Sequence, residues 1–552
     1  MRYMSLALLL LLASVPAFSQ HHHTPTDAAK PAQLIAGLGD HHHPVSTRNA
    51  DAQRFFDQGL ALVYGFNHEE AIRAFKRAAE LDPGLAMAHW GVALALGPNI
   101  NMPIDREREK LAYEAIQRAI SLASKAPEEE RAYINALAKR YSADPGADFK
   151  KLDVDYRNAM RELVRLYPDD LDAATLYAES IMDLRPWQYW SADGRPAEDT
   201  AEIVALLEGV LKRDPNHIGA NHYYIHAVEA SPNPEWALPS AQRLKVLAPA
   251  AGHLVHMPAH IDIRTGNYEA AARSNAYAAQ ADRDLFKVTG AGGMYPMMYY
   301  SHNLHFLAVA HSMQGRFEDA ARAATQLETH VGQYLKDDPS REANQSMMEA
   351  FMPTATLVLI RFRRWDDILK APRPDKRLAV VTSIWHFARA LAYAAGGDLT
   401  KAESEQQLFD AARKPVPETA PFGANTARSV LDIADHVLRG KIAVAKKDRK
   451  AAVEHFKRAV EIEDNMNYTE PPDWYLPVRE SLGGTLLLDG NPQEAEQVFR
   501  ADLKRNARNG RSLFGLAESL RAQGKTSAAQ FVQREYETAW KKADFRLRIE
   551  DL

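Results

Sequence analysis

This sequence predicts an all-α chain, wound as a right-handed superhelix of about ten to twelve helical hairpins. Three observations carry that prediction. Residues of matched size recur at a fixed spacing, first as Gly59, Ala71, Phe75, Ala78 and Pro83. Helix-forming residues dominate throughout. Gly-Asn, Gly-Arg and Gly-Asp pairs at 266–267, 315–316 and 397–398 mark the turns between paired helices.

From the N-terminus, Met1–Gln20 reads MRYMSLALLLLLASVPAFSQ. Arg2 supplies a positive start, Leu6–Leu12 a short apolar run, and Ala17-Phe18-Ser19 a small-x-small cleavage site. Residues 1–19 therefore read as a signal peptide, and the protein as periplasmic or secreted. The apolar run is too short to span a bilayer, and no later stretch approaches a spanning length. Residues 20–50 read as a flexible, His-rich tail with triplets at His21–His23 and His41–His43. Cleavage after Ser19 leaves Gln20-His21-His22-His23, whose free amine, amide nitrogens and imidazole suit square-planar copper.

Composition narrows the chemistry. The 552 residues include 67 Lys+Arg, 72 Asp+Glu and no cysteine. A net charge of −5 argues against an electrostatic grip on nucleic acid. Without cysteine there are no disulfides, thiolate zinc sites, iron–sulfur clusters, thiol nucleophiles or lipidated N-terminus. Any metal must be held by His, Asp, Glu, Met or backbone oxygen.

The repeat itself occupies the rest. Counting from residue 52, the five residues above fall at offsets 8, 20, 24, 27 and 32 of a 34-residue unit. Small residues at 8 and 20 let two helices touch, the aromatic at 24 fills the gap, and Pro at 32 ends the second helix. Gly440, Ala452, Phe456 and Ala459 repeat the frame from 433. Gly483, Ala495 and Phe499 repeat it from 476, and Ala517 and Ala529 from 510. Weaker copies start near Leu85, Leu171, Ile218, Gly252, Ser301, Glu349 and Ser383. This pattern resembles the tetratricopeptide repeat over about 50–552. The resemblance implies a helical solenoid; the interruption at 412–426 reads as a linker between 51–411 and a second sub-array at 427–552, with a capping helix over Glu535–Arg548. It also implies a concave groove that takes a protein or peptide partner. Longer interruptions at 97–108, 185–197, 284–296 and 411–426 exceed ordinary repeat turns.

Of the 21 histidines, nine lie between His217 and His311. In the repeat family, offsets 2, 5, 9 and 12 of the first helix point into the groove. The unit at Ile218 puts His222, His226 and Glu229 there, and the unit at Gly252 puts His253, His256 and His260 there. The unit at Ser301 adds His302 and His305, and the unit at Leu171 adds Asp172 and Glu179. The pairs 222/226 and 256/260 are i, i+4 and share a helix face. Imidazole suits Zn, Cu and Fe. We take His222, His226, His256 and His260 as the first candidate ligands. His253, His302, His305, Glu179 and Glu229 are further ligands or groups that orient them, with Glu229 or Glu179 bridging if two ions bind. Pro258 should kink its helix between His256 and His260. Met257, Met294, Met297 and Met298 flank the cluster, as do aromatics from Trp187 to Tyr300. No phosphate loop, G-x-G-x-x-G, G-x-S-x-G or H-E-x-x-H is present. Two functional classes follow: a metal-binding protein, either catalytic or handling metal, and a metal-free scaffold that holds a partner peptide.

Overall fold

The computed structural model describes residues 32–337 and 341–552, and the side chains of these outside 336–344. The expected signal peptide and the first histidine triplet lie outside the described residues. The rest is helical, and the strands among the described residues are two short ones, Pro421–Phe422 paired with Asn425–Thr426.

The helices start where the sequence offers a cap. Asn49 accepts from the amides of Asp51 and Ala52 to open Ala50–Tyr64. Asp170 opens Leu171–Met182 and Asn267 opens Tyr268–Thr289 in the same way, each satisfying an amide that the first turn leaves unpaired. Paired helices are joined by tight turns with one left-handed residue. Gly266, Gly315 and Gly397 fill that place at φ 77, 71 and 79. In the first hairpin the residue is Phe66, at φ 55.

Hairpins then stack through the glycine–aromatic contact the repeat requires. A Cβ at Gly59 would sit 2.6 Å from the Phe75 ring, and one at Gly91 of the next hairpin 2.4 Å from it. Phe75 is thus clamped between successive first helices, and Phe499 is clamped likewise between Gly483 and Gly515. Such contacts leave no room for a methyl group, so they fix both the pairing and the stacking.

Three parts differ from the sequence expectation. Residues 412–426 do not divide the core: Val416, Phe422 and Ala427 are buried in one apolar cluster with Phe409 and Leu431. The core instead changes over between residues 257 and 313, where the helices carrying His260, His302 and His305 lie. The 284–296 interruption is helical as far as Thr289, followed by a π-helical turn at Pro296–Tyr300 that runs into the helix Ser301–Met313. The last long helix is Thr526–Ala539 and does not reach Arg548. Trp540 packs back on Gly315 and Gly510, and a short 3-10 turn ends the chain. Pro258 breaks its helix as expected, dividing Gly252–His256 from Pro258–Arg264 at Met257. No described helix is long and apolar enough to cross a membrane.

Candidate metal centre

Three first helices of successive hairpins meet where the core changes over: Ile218–Val228, the broken helix at 252–264, and Ser301–Met313. Their imidazoles form a layer of two triads. In one, nitrogens of His222, His226 and His253 lie within 4.8 Å of one another; in the other, those of His256, His260 and His302 do. Five of the six are buried and His302 is half-buried. The groove that repeat arithmetic places here is therefore an interior layer and not an open surface.

Each ring is aimed by a partner on its far nitrogen. His222 Nδ1 donates to the Tyr64 carbonyl at 2.6 Å. His256 Nδ1 donates to Asn275 Oδ1 at 2.7 Å, and the Asn275 amide is oriented by donating to the Ala271 carbonyl. His226 Nδ1 donates to Glu229 Oε1 and His260 Nδ1 to Glu229 Oε2, both at 2.6 Å. One carboxylate thus holds a ring from each triad. Burial alone would raise its pKa; the charge of His260 and the two ring hydrogen bonds outweigh burial and hold it well below the usual range.

These partners fix the tautomers. A neutral imidazole carries one proton, and an oxygen acceptor at Nδ1 keeps it there. In their neutral forms His222, His226, His256 and His260 therefore turn bare Nε2 lone pairs inward. Two of them, on His256 and His260, are 2.7 Å apart. The helix break at Met257–Pro258 lets this i, i+4 pair turn towards each other. His226 Nε2 has no hydrogen-bond partner. His253 can donate from Nε2 to His222 Nε2 at 3.1 Å, which leaves its own buried Nδ1 without a partner. Charging these rings is costly: burial first, and neighbouring imidazoles second, push His222 and His253 well below their ordinary value.

Phenylalanine covers each triad. The Phe66 ring, projected by its left-handed turn, centres 4.6 Å from His222 and 5.3 Å from His253. Phe306 centres 5.1 Å from His256 and 5.4 Å from His260. Trp187 lies edge-on to His226, and Tyr299 to His253. Met294 and Met297 are buried in an apolar cluster with Leu327 and Val331 and fill space there.

The other candidates sit elsewhere. His305 packs against Phe351 and Tyr475 outside either triad, and burial pushes it down to about 4. Glu179 belongs to a buried network with Asp183 and Arg140; burial, then the charge of Asp183, raises its carboxyl well above the usual range. Glu229, offered by the sequence as a bridge between ions, has both oxygens occupied by ring N–H groups, and Tyr468 also donates to it at 3.2 Å. Sequence reasoning missed Tyr64, Phe66, Asn275 and Tyr468. All four are distant in sequence from the groups they touch, so no local spacing signals them.

The second triplet, expected in a flexible tail, is packed. His41 Nε2 donates to Asp172 Oδ1 at 3.0 Å and His43 Nδ1 to Asp172 Oδ2 at 2.9 Å. His217 Nε2 lies 3.2 Å from Oδ1, and the Tyr64 hydroxyl donates to the same oxygen. His217 Nδ1 accepts the Ala220 amide at 3.1 Å, so its proton is on the Nε2 that faces Asp172. A buried carboxylate needing donors draws the segment down, and this group is a hydrogen-bonded clasp.

Fold and layer together define a helical-repeat solenoid with a core of imidazoles. Residues 436–466 match the family described as Tetratricopeptide repeat. No curated protein matches it in sequence. Similar solved structures include a human IFIT1 dimer with m7Gppp-AAAA, at 13% identity and TM-score 0.34, covering 90% of this chain and 91% of that one. Yeast Tom70 is 11% identical at TM-score 0.29, covering 90% and 92%. The TPR domain of P58(IPK) is 13% identical at TM-score 0.22, covering 86% and 99%.

Proposed function

We propose that this protein is an exported binder of transition-metal ions, zinc, copper or iron, and that the buried imidazole layer is where it holds them. The observation that carries the reading is the pair of bare Nε2 atoms on His256 and His260, 2.7 Å apart. With both rings neutral, two lone pairs at that distance repel, and no proton lies between them while Asn275 and Glu229 keep both ring protons outward. A cation between them turns the repulsion into coordination. Hydrogen bonds from the outer ring nitrogen to oxygen acceptors are also what orients and strengthens metal-binding histidines.

A partner peptide in the groove is the alternative that the repeat family implies. At this point the groove is filled by the chain itself, because Tyr468 reaches Glu229 and Tyr475 packs on His305. That observation favours metal over peptide here.

The test is elemental analysis of the purified, folded protein. Near-stoichiometric metal, with affinity lowered about 10-fold or more in His222→Ala and His256→Ala, supports the proposal. Folded protein that stays metal-free after exposure to zinc, copper and iron contradicts it. Export is checked by N-terminal sequencing of the secreted or periplasmic product, expected to begin at Gln20.

A further inference from the structure

We infer that the layer holds two ions, one per triad, and that both are monovalent copper. This rests on the metal-binding reading above and adds the number, charge and identity of the ions.

The number follows from the way the rings group. Each close nitrogen pair lies inside one triad: His222 with His253 at 3.1 Å, and His256 with His260 at 2.7 Å. Between triads His226 meets His260 edge-on and His253 stacks on His256, with centroids 5.5 and 5.7 Å apart, so it is the grouping of the nitrogens rather than ring spacing that separates the two triads. Glu229 spans the two groups and spends one oxygen on each. A single ion at the midpoint would have to draw rings away from these partners, whereas one ion in each triad leaves every outer hydrogen bond in place.

The charge follows from what faces the layer. Glu229 lies on the Nδ1 side of His226 and His260, away from the Nε2 atoms that face the other rings, so the donors are six neutral imidazoles. Two divalent ions would bring four positive charges into a layer faced directly by one carboxylate. Among the nearby groups, Asp262 is turned to Lys245 at 3.4 Å. Arg264 and Glu470 lie around Tyr468 and carry opposite formal charges. Burying uncompensated ionic charge costs several kcal/mol per ion. Two monovalent ions halve that charge and leave Glu229 to offset half of the remainder.

The identity follows from coordination. Zinc with three histidines keeps a fourth position for water or substrate. Here the Phe66 and Phe306 rings stand over the triads. Monovalent copper is soft, accepts three neutral nitrogen donors and needs no fourth ligand, and imidazole is among its ligands.

The test is an anaerobic titration of the metal-free full-length chain with copper(I), in competition with the chromophoric chelator bicinchoninate, and a parallel titration with zinc(II). Two copper(I) per chain, held at least 100-fold more tightly than zinc(II), is the expected result. In His302→Ala, which trims a half-buried ring, the count should fall from two to one. In Glu229→Gln copper(I) affinity should fall about 10-fold or more at both sites, while circular dichroism of the metal-free variant reports that it still folds. One copper(I) per chain overturns the two-ion inference. Zinc(II) bound as tightly as copper(I) overturns the charge argument and leaves the metal-binding reading standing. No binding of either ion by folded protein overturns both.

Discussion

The molecule places imidazoles around a buried carboxylate twice, with opposite results. At Asp172 the rings of His41, His43 and His217 point their N–H groups at the carboxylate, and each ring proton has an acceptor. At Glu229 the rings of His226 and His260 also donate to the carboxylate, but from Nδ1, and their Nε2 atoms face the other imidazoles of the two triads on the far side. The residue types are the same. What differs is whether protons or lone pairs fill the space between the rings. Counting histidines near acids does not separate a clasp from a metal centre; tracing each ring proton does. Tyr64 joins the two regions, since its carbonyl holds His222 and its hydroxyl donates to Asp172.

The comparison can be broken first at its two carboxylates. Glu229→Ala strands two buried ring N–H groups, each hydrogen-bonded to a charged acceptor. It should destabilise the metal-free protein by about 3 kcal/mol or more and weaken metal binding together with it, read by denaturant unfolding and metal titration. Asp172→Asn keeps one acceptor and replaces the other with a donor. A loss of about 1–3 kcal/mol is expected in unfolding, with metal affinity within about 3-fold of the parent. Metal binding abolished by Asp172→Asn would make the clasp a metal site and remove the distinction drawn here.

Acidity should sharpen the contrast, because the two regions respond in opposite directions. Burial works against protonating His43, but the hydrogen bond and charge of Asp172 outweigh it and raise the pKa above 6.5. Burial would raise the Asp172 carboxyl, but the charge of His41 and the ring hydrogen bonds hold it well below 3.8. The His43 contribution is therefore complete below pH 6.5 and fades as pH rises through the raised value. The Asp172 contribution is present above 3.8 and lost only as pH falls through its lowered value. Hydrogen exchange over residues 41–47, corrected for intrinsic rate, should show more protection at pH 5.5 than at pH 8. Metal affinity of the layer should move the other way, weakening only as pH falls well below 6.5, because burial and neighbouring rings keep His222 and His253 neutral until then.

The smallest effect belongs to His305→Ala. Its ring packs against Phe351 and Tyr475, so the metal count should not change. A lowered count would bring His305 into the second triad.

The hairpin frame was legible because Gly59, Gly91 and Phe75 encode one contact whose geometry is local and repeated. The same frame singled out His222, His226, His253, His256, His260 and His302, since offsets along a first helix decide which side chains face inward. It could not separate them from His305, because the offset gives direction and not depth. Nor could it supply Tyr64, Phe66, Asn275 or Tyr468, which reach the rings or Glu229 across as many as 239 residues of chain. The clasp was hidden for a different reason: His41–His43 reads as a polar tail until Asp172, 129 residues from His43, presents a buried carboxylate. The continuous packing across 412–426 was likewise masked, because Pro417 and Gly423 read as a linker while Val416 and Phe422 bury themselves in the core.

X-ray absorption at the metal edge of the loaded protein tests the central claim most directly. The account predicts a first shell of nitrogen alone at about 2.0 Å, with the outer-shell scattering of imidazole rings, lost stepwise in His302→Ala and His226→Ala. A first shell of oxygen, or a spectrum that those two substitutions leave unchanged, would contradict it.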